Sequence, residues 1–122
     1  MKIRIRGNSV RLRLTKTEVE GLAKTGSFSE KIVFPNNTLV YTITAKEAIN
    51  TMEASYRENT ITIYIPKKDC LEWPTNSIIG HKHTLKIDAL NSLSILVEKD
   101  FVCMDETVED QSDNYPNPKT LI

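Results

Sequence analysis

The chain repeats its own pattern of apolar, polar and charged residues after about 51 positions. At that offset, residues 5–18 align with residues 56–69. Few positions are identical, Asn8 and Asn59 being one pair, but the order of residue classes is closely kept. Because an internal repeat reports on the architecture of a whole fold, it constrains this chain more than any single motif does.

Size and composition predict a single folded domain. The chain has 122 residues, of which 39% are hydrophobic and 26% are charged, and its formal net charge is zero. A chain of this length buries a sufficient core without disulfides. We expect the domain to span residues 1–103, with pseudo-repeats over 1–50 and 51–103, and we expect an acidic, irregular tail over 104–122 to pack on it.

Targeting and redox signals are weak. No stretch of the sequence is apolar over the length of a membrane span. Residues 1–6 alternate charged and apolar side chains, whereas a secretory signal needs a continuous apolar stretch. These patterns predict a cytoplasmic protein with no membrane partner. The two cysteines, Cys70 and Cys103, are too few for a disulfide framework and are expected to be buried, inert thiols.

The start of each copy predicts a β-hairpin. In the first copy, apolar and basic side chains alternate on both sides of Gly7 and Asn8, which is the period of a half-buried strand. Glycine at the first central position favours a type II′ turn. The resulting register pairs apolar residues on one face and basic residues on the other: Ile5 with Val10, Ile3 with Leu12, Arg4 with Arg11, and Lys2 with Arg13.

A capping box predicts where the first helix begins. Thr15 is followed three residues later by Glu18, and together their side chains satisfy backbone donors at a helix N-terminus. Gly26 is suited to end a helix of roughly ten residues. A shorter helix is predicted in the second copy, where Trp73 occupies the position of Leu22, and this favours core packing over a role as a ligand platform.

Together the copies predict an α+β fold of about eight mostly antiparallel strands and two helices. Each copy runs strand–strand–helix–strand–strand. The later strands of the two copies are expected at residues 30–34, 38–44, 78–87 and 93–103. Pseudo-twofold duplication of this unit predicts closure into a barrel or a strongly bent antiparallel sheet, because either arrangement removes exposed strand edges.

The outward face of the first hairpin concentrates five basic side chains: Lys2, Arg4, Arg6, Arg11 and Arg13. Like charges directly opposite one another destabilise a strand pair, so a negative group is expected against this face. The same face of the second copy is nearly neutral, which means that the repeat does not require the cations. Arginine suits carboxylate and phosphate groups, so the candidates for binding an anion are Arg4, Arg6, Arg11 and Arg13.

Three interpretations of this basic face stay open. In the first, the cations are solvated or pair with tail acids in a structural clasp. In the second, they bind a small anionic ligand. In the third, they bind nucleic acid, which the zero net charge disfavours because it provides no long-range attraction. The tail acids available for a clasp are Asp105, Glu106, Glu109, Asp110 and Asp113.

Other chemistry-bearing residues have plainer explanations. His81 and His83 share one side of a strand, but no third ligand is fixed by spacing, so neither a metal site nor a cofactor is predicted. Glu98 and Asp100 also share one side of the last strand. They are the acid/base candidates of an enzymatic interpretation, although carboxylates on a solvent face are more commonly plain surface residues.

Three segments of the sequence resemble a known family. They are residues 1–15, 95–103 and 109–118, which together reach across nearly the whole chain. The family is one of uncharacterised small bacterial proteins, a domain of unknown function without an assigned activity. The resemblance therefore implies a bacterial protein but no reaction, cofactor or partner. If the three segments meet in space, they form one polar surface that is either a clasp or a site.

The predicted function is a non-enzymatic binding or assembly domain, because the sequence shows no catalytic triad, metal-binding cluster or phosphate-binding glycine loop. The alternative is a small enzyme or binder of an anionic metabolite that uses the basic face. Nucleic-acid binding is the third interpretation. Self-association into a homo-oligomer is compatible with each of them.

Overall fold

The computed structural model describes residues 1–101, 112–116 and 118. In these residues the order strand–strand–helix–strand–strand occurs twice, as the sequence predicted. A 3₁₀ turn over Trp73–Thr75 continues the second helix. The elements are β1 (Lys2–Ile5), β2 (Ser9–Leu14), α1 (Lys16–Thr25), β3 (Ser27–Val33), β4 (Thr38–Lys46), β5 (Glu53–Arg57), β6 (Thr60–Pro66), α2 (Lys67–Glu72), β7 (Gly80–Lys86) and β8 (Ser92–Lys99).

The eight strands form two four-stranded sheets, β1-β2-β8-β7 (sheet A) and β3-β4-β6-β5 (sheet B). Each sheet contains one hairpin from each repeat, so the two copies are interlocked. The four hairpins are antiparallel, whereas β2 pairs with β8, and β4 with β6, in parallel. The α+β class and the mostly antiparallel pairing are confirmed. The barrel is not formed, because the strands that the structure describes stay in two separate sheets.

The helices connect the two sheets. Strands β3 to β6 follow one another along the chain and make sheet B, whereas sheet A joins the first hairpin to the last. Helix α1 leads from sheet A to sheet B, and α2 leads back. In the described part of the chain, no helix is long and apolar enough to cross a membrane.

Local signals in the first repeat act as predicted. Arg6 and Ser9 exchange backbone hydrogen bonds of 3.3 and 3.2 Å around the two-residue turn, in which Gly7 has a φ of 53°. A positive φ at this position is what a type II′ turn requires and what glycine adopts without strain. The observed register, which includes Arg4 opposite Arg11, is the predicted one.

Helix α1 begins at the predicted capping box. The Thr15 amide donates to Glu18 Oε1 at 2.9 Å, and the Glu18 amide donates to Thr15 Oγ1 at 3.4 Å. Asp113 adds to this cap, because its carbonyl accepts from the Lys16 amide at 3.1 Å and its side chain accepts from the Thr17 hydroxyl at 3.0 Å. A described part of the C-terminal segment therefore contacts the helix N-terminus.

The core lies between the central strands of both sheets and the two helices. Trp73 is fully buried and its indole donates to the Ile78 carbonyl at 2.8 Å, which confirms the predicted packing role. Cys70 is buried as predicted, and burial raises its pKa to about 12. Cys103 lies outside the described residues. The buried apolar residues are Leu12, Leu14, Val19, Leu22, Tyr41, Ile43, Met52, Ile63, Ile65, Cys70, Trp73, Ile95 and Val97.

Candidate anion-binding site

The outer face of sheet A carries a row of side chains that crosses all four strands. Arg4 on β1 lies opposite Arg11 on β2, Arg11 is in register with Leu96 on β8, and Leu96 lies opposite Lys82 on β7. We call these four residues the outer row. Their side chains share a face because residues aligned across neighbouring strands point to the same side of a sheet.

The negative group expected against the basic hairpin comes from β8. Glu98 is in register with Arg13. Glu98 Oε1 accepts from Arg13 Nε at 2.8 Å and lies 3.3 Å from Arg11 Nε. Asp100, just beyond β8, lies 3.2 Å from Lys2 Nζ. Arg11, Arg13 and Lys2 therefore have carboxylate partners within the folded domain.

A shallow depression of about 270 Å³ opens beside these ion pairs. Long cationic side chains surround it, while the short side chains of Ser9 and Ser94 leave space between them. Among the residues that the structure describes, no carboxylate forms an ion pair with the cations Arg4, Arg6 or Lys82. The residues that line the depression and carry the site are Arg4, Arg6, Arg11, Lys82, Ser94 and Leu96.

The acid/base candidates lie at the edge of this surface. Glu98 bridges two arginines, and Asp100, only 6% exposed, pairs with Lys2. The backbone carbonyl of Asp100 also accepts from the Tyr115 amide at 2.7 Å. Both carboxylates thus contact basic side chains, and their ion pairs fix the positions of Arg11 and Lys2.

The tail acids divide into one that is described and four that are not. Asp113 contacts the N-terminus of α1, and hydrogen bonds from Thr15 and Thr17 lower its pKa. Among the described residues, its hydrogen-bond partners belong to the start of α1, and none is an arginine of the basic face. The other acids predicted for a clasp lie outside the described residues: Asp105, Glu106, Glu109 and Asp110.

Comparison with known proteins places the chain in a family. The model of DUF7009, a family of unknown function, matches residues 1–119. The chain belongs to DUF7009. No curated protein and no solved structure matches it. The match spans both sheets and confirms the resemblance to a domain of unknown function, but it brings no activity to the site.

Sequence reasoning missed the half of the DUF7009 site that β7 and β8 contribute. Lys82 and Leu96 were not candidates, because their proximity to Arg11 depends on the parallel pairing of β2 with β8. The alternation in β7 does place Lys82 on the side opposite His81 and His83. No signal in the sequence assigned that side to the basic face.

The histidines lie on the inner side of β7. His81 packs edge-on against Trp73 with 5.0 Å between ring centroids, and its Nε2 is buried without a hydrogen-bond partner in the part of the chain that the structure describes. Burial lowers the pKa of His81. His81, His83 and Asp69 line a depression of their own. Across residues 1–101, 112–116 and 118, no three histidine, cysteine or acidic side chains are placed to hold a metal ion.

The repeat provides an internal reference surface on sheet B. Its counterpart of the outer row consists of hydroxyl side chains, of which Ser29 and Thr42 lie 2.7 Å apart in a hydrogen bond. The counterpart of Arg6 is Arg57, 51 positions later. The same scaffold therefore carries cations on one sheet and neutral polar groups on the other. The hydroxyl row is Ser55, Thr62, Thr42 and Ser29.

Proposed function

We propose that this DUF7009 protein is a non-enzymatic binding domain for a small anionic molecule. The phosphate or carboxylate group of this ligand binds in the depression on the outer face of sheet A, against Arg4, Arg6 and Arg11. The observation that carries this proposal is that some of the cations have a carboxylate partner and others do not. Arg11 and Arg13 are paired with Glu98, whereas Arg4 and Arg6 line the depression without a carboxylate partner among the described residues.

Electrostatics supports an anion at this position. Arg4 and Arg11 lie directly opposite one another on neighbouring strands, a pairing of like charges that is unfavourable without a counter-charge. Glu98 lies beside Arg11 and Arg13, on the far side of β2 from Arg4. An anion in the depression supplies the missing charge to Arg4 and Arg6, and guanidinium groups bind carboxylate and phosphate by charge-assisted hydrogen bonds.

Preorganisation also supports binding. Arg11 is held through its Nε by Glu98 and is only about one-third exposed, so less conformational entropy is lost when a ligand binds it. The same contact favours a positioning role for Glu98 over proton transfer. The enzymatic alternative, with Glu98 or Asp100 as acid or base, has less support because both carboxylates contact cations.

Nucleic acid has the least support of the three interpretations. The formal net charge of zero provides no long-range attraction. Glu98 further interrupts the cations of sheet A, so the positive surface does not extend as a continuous stripe. The bacterial and cytoplasmic setting expected from the sequence stays a prediction.

The test is a titration of the full chain with inorganic phosphate and with acetate. Calorimetry measures the binding, and thermal shift measures the stabilisation. We expect Arg4→Gln and Arg6→Gln each to weaken binding by about tenfold, which is the scale of one lost hydrogen bond to a charged group. Arg57→Gln is the matched control, because it removes the same charge from the equivalent turn of the second repeat. Its affinity should equal that of the wild type.

Two results would contradict the proposal. One is that neither anion binds or stabilises the wild-type protein. The other is that Arg57→Gln weakens binding as much as Arg6→Gln, which would show that only the overall charge matters. A DNA oligonucleotide that binds at physiological salt and displaces phosphate would favour the nucleic-acid interpretation instead.

A further inference from the structure

Building on the proposed function, we infer that the ligand is a small organic dianion, in which a short apolar segment separates two anionic groups. One anionic group binds the arginines of the first hairpin. The apolar segment lies over Leu96, and the second anionic group binds Lys82. The juxtaposition that carries this inference is the outer row, in which a leucine separates Arg11 from Lys82.

The spacing of the strands sets the length of the ligand. Strand β8, which carries Leu96, lies between β2 and β7. Neighbouring strands are about 4.8 Å apart, so the backbones that carry Arg11 and Lys82 are separated by about 10 Å. A single phosphate or carboxylate contacts cations on both sides only if their long side chains fold over Leu96. A molecule with two anionic ends contacts both cations without that rearrangement.

Leu96 gives the middle of the site an apolar surface. It is half-buried on the outer face, and it lines the same depression as Arg11 and Lys82. Its counterpart on sheet B is Thr42, in a row composed of hydroxyl side chains. The scaffold therefore accepts a polar residue at this position, and a leucine between two cations provides a contact for hydrocarbon.

The neighbouring rows of side chains provide no partner for a third anionic group. In the next row across the sheet, Glu98 takes the position beside Leu96 on β8 and would repel a further anionic group. On the other side, Ser94 and Thr84 are neutral and lie opposite one another. Within the described residues Lys82 forms no ion pair with a carboxylate, so its ammonium group is available to the second anionic end.

The experiment compares ligands that differ only in their second charge and in their length. The full chain is titrated calorimetrically with the α,ω-dicarboxylates from succinate to azelate and with the monocarboxylates of equal carbon number. We expect affinity to pass through a maximum at an intermediate length. At that length the dicarboxylate should bind about tenfold more tightly than its monocarboxylate, which is the scale of one further charged contact.

Two variants test where the second anionic group and the apolar segment of the ligand bind. Lys82→Gln should remove the advantage of the dicarboxylate over its monocarboxylate, because it should weaken the dicarboxylate by much more than the monocarboxylate. Leu96→Ser should weaken the best dicarboxylate by about tenfold, which corresponds to the loss of contact with one or two methylene groups. The matched controls lie on the outer face of sheet B, where Lys31→Gln removes a lysine and Val40→Ser removes an apolar side chain from a central strand. Neither control should change affinity.

The outcomes separate this inference from the proposed function. If phosphate and monocarboxylates bind through Arg4 and Arg6 but no dicarboxylate binds more tightly, the dianion is wrong and the anion site stands. The same holds if Lys82→Gln weakens both series equally. If no anion binds at all, both are wrong. Should Leu96→Ser fail to fold, Lys82→Gln on the exposed surface of β7 still decides the question.

Discussion

Gly80 lies directly opposite Glu98 in the β7–β8 pair, and a Cβ atom at position 80 would stand 2.9 Å from Glu98 Cβ. It would also stand 3.0 Å from the Val97 carbonyl oxygen. Glycine at this position therefore lets β7 approach the part of β8 that carries Glu98, the partner of Arg11 and Arg13. The edge strand β7 and the ion pairs of the basic face are linked through this one absent side chain.

We predict that Gly80→Ala destabilises the protein by about 1–3 kcal/mol, because the atoms it would meet belong to the backbone and to a Cβ and have little freedom to move. The measurement is the free energy of unfolding in urea. Gly21→Ala in α1 is the matched control, since a Cβ there meets nothing within 4 Å. It should stabilise by about 0.5–1 kcal/mol, the usual gain for alanine in a helix. Equal effects of the two substitutions would contradict the steric explanation.

His81 makes the stability of the fold depend on pH. Burial lowers its pKa below the ordinary value of 6.5, an effect that Asp69 opposes and Lys99 reinforces. As the pH falls through 6.5, His81 takes up a proton in the unfolded chain before it does so in the folded protein. The contribution of His81 is therefore present above pH 6.5 and is lost as the pH falls towards the lower pKa of the folded state.

We predict that His81→Phe reduces the loss of stability between about pH 8 and about pH 5, where histidines titrate. Phenylalanine keeps a ring against Trp73 and removes the buried Nε2, so it should not destabilise the protein near neutral pH. Urea unfolding at a series of pH values measures the difference. If His81→Phe keeps the wild-type pH dependence, His81 is not its source.

Tyr115 holds the C-terminal segment against the domain. Its ring centroid lies 5.6 Å from that of Phe101 and 4.8 Å from Lys99 Nζ, and burial raises its pKa to about 12. Lys99 is 5% exposed and also donates to the Asn76 carbonyl at 2.7 Å. Burial lowers the pKa of Lys99. The aromatic ring therefore helps to stabilise the buried positive charge of this side chain.

We predict that Tyr115→Ala lowers the free energy of unfolding by about 1–3 kcal/mol, through lost aromatic packing and a weaker cation–π contact. Tyr115→Phe keeps the ring and should remain within about 0.5 kcal/mol of the wild type. Chemical denaturation measures both variants. A Tyr115→Ala protein as stable as the wild type would show that the segment does not contribute to the fold.

The features that the sequence predicted well are those whose causes are local. The turn at Gly7 follows from one residue that tolerates a positive φ, and the cap at Thr15 follows from a partner three positions away. The register of Arg4 with Arg11 follows from the turn and the alternation together. The basic half of the candidate site was therefore visible in the sequence.

The other half of the site depends on contacts between residues that are far apart in the chain. Alternation assigns Lys82 and Leu96 to a face of their strands, but it does not say which strand pairs with which. The parallel pairing of β2 with β8 brings residue 96 beside residue 11. One interpretation of the sequence paired the arginines with tail acids, of which the structure describes Asp113 alone. The described structure places Glu98 of β8 against Arg11 and Arg13.

By itself the sequence determined the repeated unit, its hairpins and helix caps, and the asymmetry of charge between the two copies. The hairpins and caps depend on backbone preferences and on hydrophobic periodicity, which act over a few residues. The asymmetry of charge follows directly from which residues each copy contains. Only the tertiary structure decided that the copies exchange hairpins to make two sheets. That choice depends on how both helices and both sheets bury a common core. It is also what joins the cations of the first repeat to Glu98, Leu96 and Lys82 of the second.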